Sequence, residues 1–454
     1  MSKNKKLKIL IAAAEAAPIA KVGGLGDVIS ALPKALVKLN LDARVIIPFY
    51  GAIDKNKYKI KLIKQNIKIN GTAINLWQTN LPDSTVPVYL IEHNFFQKKE
   101  IYSTMLADGS ADIKKFTFFS RMILPSLEAI NFQPDIIHLN DWHTAPVAQL
   151  LKIKYKTKSF FKQIKTLYTI HNLANQGITK TENYMATGIL NSNLINTVSP
   201  TYAKEILTKE YGAGLEKFLT KRKKQLFGIL NGIDTDFFNP QTDKLIKLNY
   251  SAEALEKKVA NKAQLQRQLG LPQNKNIALV GLISRLVWQK GLDLINDKLL
   301  ELNCQFVFLG TGQKKYEEQL LKLAKKFLQQ FSAQIKFDEK LAHLIYAGSD
   351  IFLMPSYFEP CGLGQMIAMR YGTAPLVRAT GGLADTVNDK VGFSFKKYSA
   401  PILYKTLDKT LTIFYNQPQI WRQLQINGMK QNFSWDKSAK EYLKLYIQLK
   451  NSAD

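Results

Sequence analysis

Short apolar runs recur along this chain, each closed by a polar or glycine-rich turn and followed by a stretch with apolar positions at helical spacing. Residues 8–13 are the first such run, and Val28, Leu32 and Leu36 then share one helical face. A run without polar alternation reads as a strand covered on both faces. Strand, turn and helix in repeated order mean an α/β fold with parallel sheets. In the first half the pattern predicts strands at 8–13, 44–48, 135–139, 166–170, 194–199 and 226–230, with an edge strand or hairpin in the alternating stretch 58–92. In the second half it predicts strands at 276–283, 305–310, 334–337, 350–355, 375–378 and 392–395, and consecutive helices over 400–450. Between Asn231 and Tyr250 the order loosens, which puts an interdomain linker at 240–248.

Two α/β halves direct attention to the ends of their strands, because open parallel sheets bind ligands at the carboxyl edge. There the first half carries Lys21-Val22-Gly23-Gly24-Leu25-Gly26-Asp27, Asn140-Asp141-Trp142-His143 and His171-Asn172. The second half carries Ser284-Arg285, Gln289-Lys290, Glu359-Pro360-Cys361-Gly362-Leu363 and Thr380-Gly381-Gly382-Leu383. Lys21 and the glycines lie on a strand-to-helix turn, where a lysine charge and the positive end of a helix suit an anion, most often a phosphate. The Gly-Gly-Leu-x-Asp pattern returns at 381–385, suggesting two similar anion cradles. The spacing is neither the dinucleotide fingerprint nor the P-loop. On spacing alone other readings stay open. The Gly-Gly turn is also a tight connection, Arg285 a surface ion-pair partner, Glu359 a carboxylate serving a helix dipole, His171 a core histidine and Asp141 a helix cap.

Composition narrows the classes. The 454 residues carry a formal charge of +27, but of the 63 basic residues only eight are arginine and the lysines are spread along the whole chain. That argues against a specific nucleic-acid partner, which would cluster arginine on one element. No apolar stretch has the length of a membrane span. The short run after the lysines of residues 3–8 lacks a cleavage region and reads as a first strand behind a basic lead-in. Two cysteines, Cys304 and Cys361, make no disulfide framework, and with the missing signal they point to the cytoplasm. The five histidines show no metal-ligand spacing, so no metal is expected.

With these segments in view the chain resembles the bacterial glycogen synthases and plant starch synthases, the ADP-glucose-dependent α-1,4-glucan synthases. The resemblance is carried by Lys21 to Val28, Asn140 to His143, Thr169 to Ala174, Thr197 to Ala203, Ile229 to Asp234, Gln289 to Leu294, Pro355 to Leu363, Arg370 to Thr373, Thr380 to Val387 and Phe433 to Trp435, in family order over nearly the whole length. It implies a GT-B fold: two Rossmann-like, doubly wound domains at 1–243 and 244–432 facing a central cleft, and a C-terminal helix at 433–454 returning to the first. It implies retaining transfer of glucose from ADP-glucose to the non-reducing end of an α-1,4-glucan such as glycogen, with ADP-glucose as a substrate and no cofactor. By motif, Lys21 and Gly24 would meet the donor phosphate and Asp27 would support their loop. Arg285 and Lys290 would neutralise the diphosphate, helped by the turn at Thr380 and Gly381. Glu359, Cys361, Gly362 and Leu363 would surround the glucose, with His171, Asn172 and Asn231 beside it and Asp141 toward the acceptor. Phe337 would stack on adenine.

Three positions depart from that pattern. Ile367 stands where many related retaining transferases have a second glutamate, which the glucan synthases generally lack. The stretch 176–194 is shorter than in the family and without its aromatic- and glycine-containing middle, and Lys115 replaces a customary arginine in the loosely matching 94–116. The alternatives are a GT-B transferase using UDP-glucose or a small acceptor, and a catalytically weak glucan-binding homologue.

Overall fold

The computed structural model describes residues 6–69, 71–102 and 110–452, so the basic lead-in through Lys5 and part of the loosely matching 94–116 lie outside the described residues. The chain forms two compact units, residues 1–232 with 435–454 and residues 233–434.

The first unit holds a nine-stranded sheet built from β1 (Lys8–Ala12), β2 (Asp42–Pro48), β3 (Lys61–Ile69), β4 (Thr72–Asn80), β5 (Pro87–Glu92), β6 (Ile136–Asn140), β7 (Lys165–Ile170), β8 (Leu194–Thr197) and β9 (Leu226–Gly228). Their order is β3-β4-β5-β2-β1-β6-β7-β8-β9. The stretch read from sequence as an edge strand or hairpin is three strands: β3 and β4 pair antiparallel, as do β4 and β5, and β5 joins the parallel body through β2. Their polar alternation has a physical reason, since the outermost strand β3 is almost wholly exposed while β1 and β6 are covered on both faces. The helix Trp435–Asn451 packs on this unit, burying Trp435, Ala439, Tyr442, Leu445, Tyr446 and Leu449, the two leucines each worth about 1.5–3 kcal/mol of apolar burial. His138 of β6 joins it to the sheet, with Nδ1 2.8 Å from the Tyr446 hydroxyl and Nε2 2.7 Å from Thr169 Oγ1.

The second unit holds a six-stranded, all-parallel sheet of β10 (Ala278–Ile283), β11 (Cys304–Leu309), β12 (Phe331–Gln334), β13 (Ile351–Met354), β14 (Ala374–Arg378) and β15 (Phe393–Phe395) in the order β12-β11-β10-β13-β14-β15. One strand differs from the sequence reading. The strand expected at 334–337 lies at β12, where Phe331 is buried and residues 331–334 pair with 306–309 of β11. Phe337 is left 89% exposed beyond it. Helices fill 400–450 as expected.

The segment expected to be a linker and the end of the first domain is part of the second unit's body. Asp243 is buried and accepts hydrogen bonds from the Tyr371 hydroxyl (2.5 Å) and His343 Nδ1 (2.8 Å), and the Tyr250 hydroxyl donates to the Tyr371 carbonyl (2.8 Å). These buried polar ties place the boundary at 232 rather than 243, and the last helix begins at Trp435. Among the described residues, no helix is long and apolar enough to cross a membrane.

Candidate functional site

Strand order fixes where each unit can hold a ligand. In the first sheet the chain runs outward from β1 through β2 and returns on the other side with β6, so the crevice of an open sheet falls between the carboxyl ends of β1 and β6. In the second sheet the same reversal falls between β10 and β13. Most of the predicted site residues follow these four strands or their neighbours.

In the first unit, β1 leads through Glu15 to the loop of Lys21 and then to the helix Gly24–Lys38, whose buried Val28, Ile29, Leu32 and Leu36 seat it on the sheet. The helix starts four residues earlier than the apolar spacing suggested. Its cap residue Gly23 provides no side-chain hydrogen bond, so the amides of its first turn have no side-chain acceptor there. A Cβ on Gly24 would meet nothing within 4 Å. Neither crowding nor a positive φ calls for glycine there, and the space above it is open to a ligand. Asp27 stands in the first helical turn and forms a 2.6 Å ion pair with Lys21 Nζ, both side chains half-exposed.

Sequence reasoning missed the group that shapes this loop. Glu15, 2% exposed, accepts the amides of Val22 (2.7 Å) and Gly23 (2.8 Å) at Oε2 and the Tyr102 hydroxyl (2.6 Å) at Oε1. Two amides expected to point at a ligand are thus turned inward onto a carboxylate. The available signal was an acid closing an otherwise apolar run just ahead of the glycine turn.

Beside this loop, Asp141 follows β6 with a positive φ of 53° and its Oδ1 accepts the His171 amide at 2.7 Å. Burial pushes the Asp141 carboxyl up to about 7, against the pull of the His171 and Asn172 amides. The Asn140 side-chain amide donates to the Ala12 carbonyl, so its Oδ1 is the acceptor 2.9 Å from His171 Nε2. That assigns the His171 proton to Nε2 and leaves Nδ1 its lone pair. Burial lowers the ring to about 3, so it is neutral at pH 7. Asn172 closes its own turn, accepting the Ala174 amide at 2.9 Å. Asn231, after β9, is buried with Oδ1 unpartnered among the described residues. His143, which the sequence set on the same rim, is packed among the rings of Phe116, Trp142 and Tyr102.

In the second unit, a cavity of about 210 Å³ opens at the β10/β13 reversal and is lined by Ser284, Arg285, Lys290, Ser356, Glu359, Gly362 and Leu363, among others. Glu359 is 6% exposed, and its Oε2 takes both Lys290 Nζ (2.6 Å) and Ser356 Oγ (3.0 Å). Arg285 is exposed, and among the described residues its guanidinium has no ion pair or hydrogen bond. Gly362 turns with φ 72°, the left-handed region that favours glycine. Cys361 does not line the cavity: it is buried behind the loop, where a Cβ on Gly382 would strike its carbonyl at 2.1 Å. Thr380 and Gly381 are buried too, and the Gly382 amide donates to the carbonyls of Glu359 (3.1 Å) and Pro360 (3.2 Å). Gln289 and Arg378 brace the same loop, Gln289 Nε2 donating to the Phe358 carbonyl (3.1 Å) and the Arg378 guanidinium to that of Tyr357. Arg378 is a second residue that sequence reasoning missed, its only signal being an arginine kept in a lysine-rich chain.

The arrangement suits anion recognition beside a buried carboxylate. In the first unit Lys21, held by Asp27, and an uncapped helix N-terminus stand at a strand end; in the second, Lys290, held by Glu359, and the unengaged Arg285 do so. Among the described residues no group of three or more His, Cys, Asp or Glu side chains converges as a metal site would require.

Comparison with known proteins gives the same picture at family scale. Residues 8–221 match the starch synthase catalytic domain and residues 261–421 match the glycosyl transferases group 1. A glycogen synthase of Thermosipho africanus is 42% identical, covering 98% of this chain and 99% of that protein. A glycogen synthase of Moorella thermoacetica is 43% identical over 98% and 97%. The catalytic domain of starch synthase IV from Arabidopsis thaliana, solved with ADP and acarbose, superposes with a TM-score of 0.89 at 34% identity over 99% of this chain and all of that one. Sucrose-phosphate synthase from Thermosynechococcus elongatus shares the fold, with a TM-score of 0.65 at 18% identity over 98% and 99%.

Proposed function

The chain belongs to the glycogen synthase and starch synthase family of GT-B glucosyltransferases that use ADP-glucose, and from that premise we propose how its residues divide the reaction. The reaction is retaining transfer of glucose to the non-reducing end of an α-1,4-glucan. Breaking the bond between the anomeric carbon and the phosphate oxygen builds negative charge on the departing ADP. Fixed positive charge at that oxygen favours the transition state over the ground state. In this proposal the second unit supplies Arg285 and Lys290, and the first supplies Lys21 with the open amides of the helix Gly24–Lys38. No metal ion is needed, because these groups carry the compensation.

Glu359 and the His171 carbonyl are assigned to the electron-poor sugar carbon, Asp141 to the acceptor side, and Asn172 and Asn231 to the sugar hydroxyls. Gly362 and Leu363 shape the glucose pocket, while Thr380, Gly381 and Cys361 back the loop that carries Glu359. Phe337, whose ring is 89% exposed at the carboxyl end of β12, is assigned to adenine. Two free buried cysteines support a cytoplasmic setting.

One observation carries the residue assignment: the buried Glu359 joined to Lys290 in a cavity at the strand reversal, beside the unengaged Arg285. The test is nucleoside diphosphate release and glucan elongation with glycogen and either ADP-glucose or UDP-glucose, with and without a chelator. ADP-glucose is expected to be the better donor and the chelator to have no effect. Lys21→Ala and Glu359→Ala should each lower kcat/KM by about 100-fold or more with the circular dichroism spectrum unchanged. Wild-type rates in both variants would refute the site. A preference for UDP-glucose, or glucan binding without turnover, would favour the alternatives that the short 176–194 stretch leaves open.

A further inference from the structure

We infer that Trp288, Phe358 and Tyr357 form a platform on which the glucan chain lies as it leaves the catalytic cavity; this rests on the glucan-synthase reading and extends it to the polymer. Trp288 is 50% exposed, whereas Trp142, Trp421 and Trp435 are buried at 5–7%. Its ring centroid lies 5.7 Å from Tyr357 and 5.6 Å from Phe358, both partly exposed, so the three make one continuous aromatic surface.

That surface is held rigid. The Tyr357 amide donates to the Gln289 carbonyl (2.8 Å), and Gln289 Nε2 returns a bond to the Phe358 carbonyl. The Arg378 guanidinium sits 5.7 Å from the Tyr357 ring and 5.6 Å from that of Tyr398, whose hydroxyl is fixed by Asp293 at 2.6 Å. Rings fixed in advance lose little entropy when a ligand lands.

Position and chemistry select the occupant. Trp288 stands two residues before Lys290, and Phe358 immediately precedes Glu359, so the platform is carried on the same two chain segments as two residues of the cavity lining, without itself lining it. A glucan whose end reacts in the cavity must pass its next sugars over the adjoining rim. Glucose rings present apolar C–H faces with hydroxyls at their edges, and a flat aromatic receives such a face without demanding a particular hydroxyl. A platform tolerant of register suits a polymer whose length changes at each turnover.

The test pairs binding with kinetics. Maltoheptaose binding is followed by isothermal titration calorimetry in wild type, Trp288→Ala and Trp288→Tyr, and KM is measured for glycogen and for ADP-glucose. In Trp288→Ala the maltoheptaose Kd and the glycogen KM are expected to rise by about 10-fold, the scale of one lost apolar contact, with the ADP-glucose KM unchanged. Trp288→Tyr should restore both toward wild type. Equal glycogen KM in wild type and Trp288→Ala would overturn the inference, as would a rise confined to the ADP-glucose KM, which would give the ring to adenine. A wild-type protein that turns over neither donor but loses maltoheptaose binding in Trp288→Ala would sink the synthase reading and leave the platform standing.

Discussion

Gly23-Gly24-Leu25 and Gly381-Gly382-Leu383 share a pattern and a location, each following a sheet strand and entering a helix. Their glycines answer different demands. At the first turn a Cβ on Gly23 would come no closer than 3.9 Å to Glu15, and one on Gly24 would meet nothing within 4 Å. At the second, a Cβ on Gly381 would lie 1.9 Å from the Glu359 carbonyl oxygen, and one on Gly382 would lie 2.1 Å from that of Cys361. The first turn keeps a space clear, while the second closes one against the loop that bears Glu359. The echo that suggested two anion cradles is one open turn and one buttress, and a repeated motif marks a place in the fold without fixing what the place does.

The largest effect that separates the two turns is expected at Gly381→Ala. The added carbon overlaps backbone rather than a side chain able to swing away, and φ is +45°, where alanine is strained. The loop of Glu359 must shift, so ADP release should fall below detection and stability by about 2–4 kcal/mol. Thermal denaturation alongside the assay checks both, and an unchanged Tm would break the comparison. Gly24→Ala should be its mirror. Alanine in the first helical turn is tolerated or better than glycine, so the Tm should stay or rise slightly. The methyl group enters the space proposed for the donor, so kcat/KM for ADP-glucose should drop by about 10- to 100-fold, or about 1.4–2.8 kcal/mol. Loss of stability in Gly24→Ala would mean the open space is structural after all.

Glu15→Gln probes what holds the first turn in shape. One carboxylate oxygen now takes two amides, and hydrogen bonds to a charged group are worth about 1.5–3 kcal/mol each. The neutral amide keeps the shape with weaker bonds, so the expected result is a rise of about 5- to 10-fold in KM for ADP-glucose with a smaller change in kcat. A change in kcat alone would point to Glu15 acting on the reacting sugar instead.

These contrasts also show what the chain disclosed in advance. The central strands were legible because both faces are covered, so their apolar runs have no interruption, as in Leu279-Val280-Gly281-Leu282. The rim was legible because strand ends must carry polar or glycine residues to meet a ligand. β12 was misplaced because Ile335 and Phe337 continue the alternation of Phe331 and Ala333, and only pairing with β11 shows that the strand stops at Gln334. Glu15 and Arg378 went unseen for a different reason. Both act on backbone far away in sequence or in a neighbouring loop, and a hydrogen bond to a main-chain amide or carbonyl leaves no mark on the partner's identity. Asp243 was hidden likewise, its partners His343 and Tyr371 lying 100 and 128 residues away.

The smallest expected effect concerns the last residue of the shared pattern, Asp27 in one turn and Asp385 in the other. Asp27 grips Lys21 at 2.6 Å, with both side chains more than two-fifths exposed, and such a pair contributes at most about 1 kcal/mol. Under the proposed function its consequence lies in orientation: a lysine already held would meet the donor phosphate without first losing its rotamer freedom. Asp27→Asn should therefore leave the Tm within about 2 °C and raise the ADP-glucose KM only about two- to threefold, with the difference shrinking as salt is added. Asp385→Asn, in the turn packed against the loop of Glu359, should leave that KM unchanged. A fall in KM for Asp27→Asn would reverse the assignment, because Asp27 would then compete with the phosphate for Lys21 instead of presenting the lysine to it.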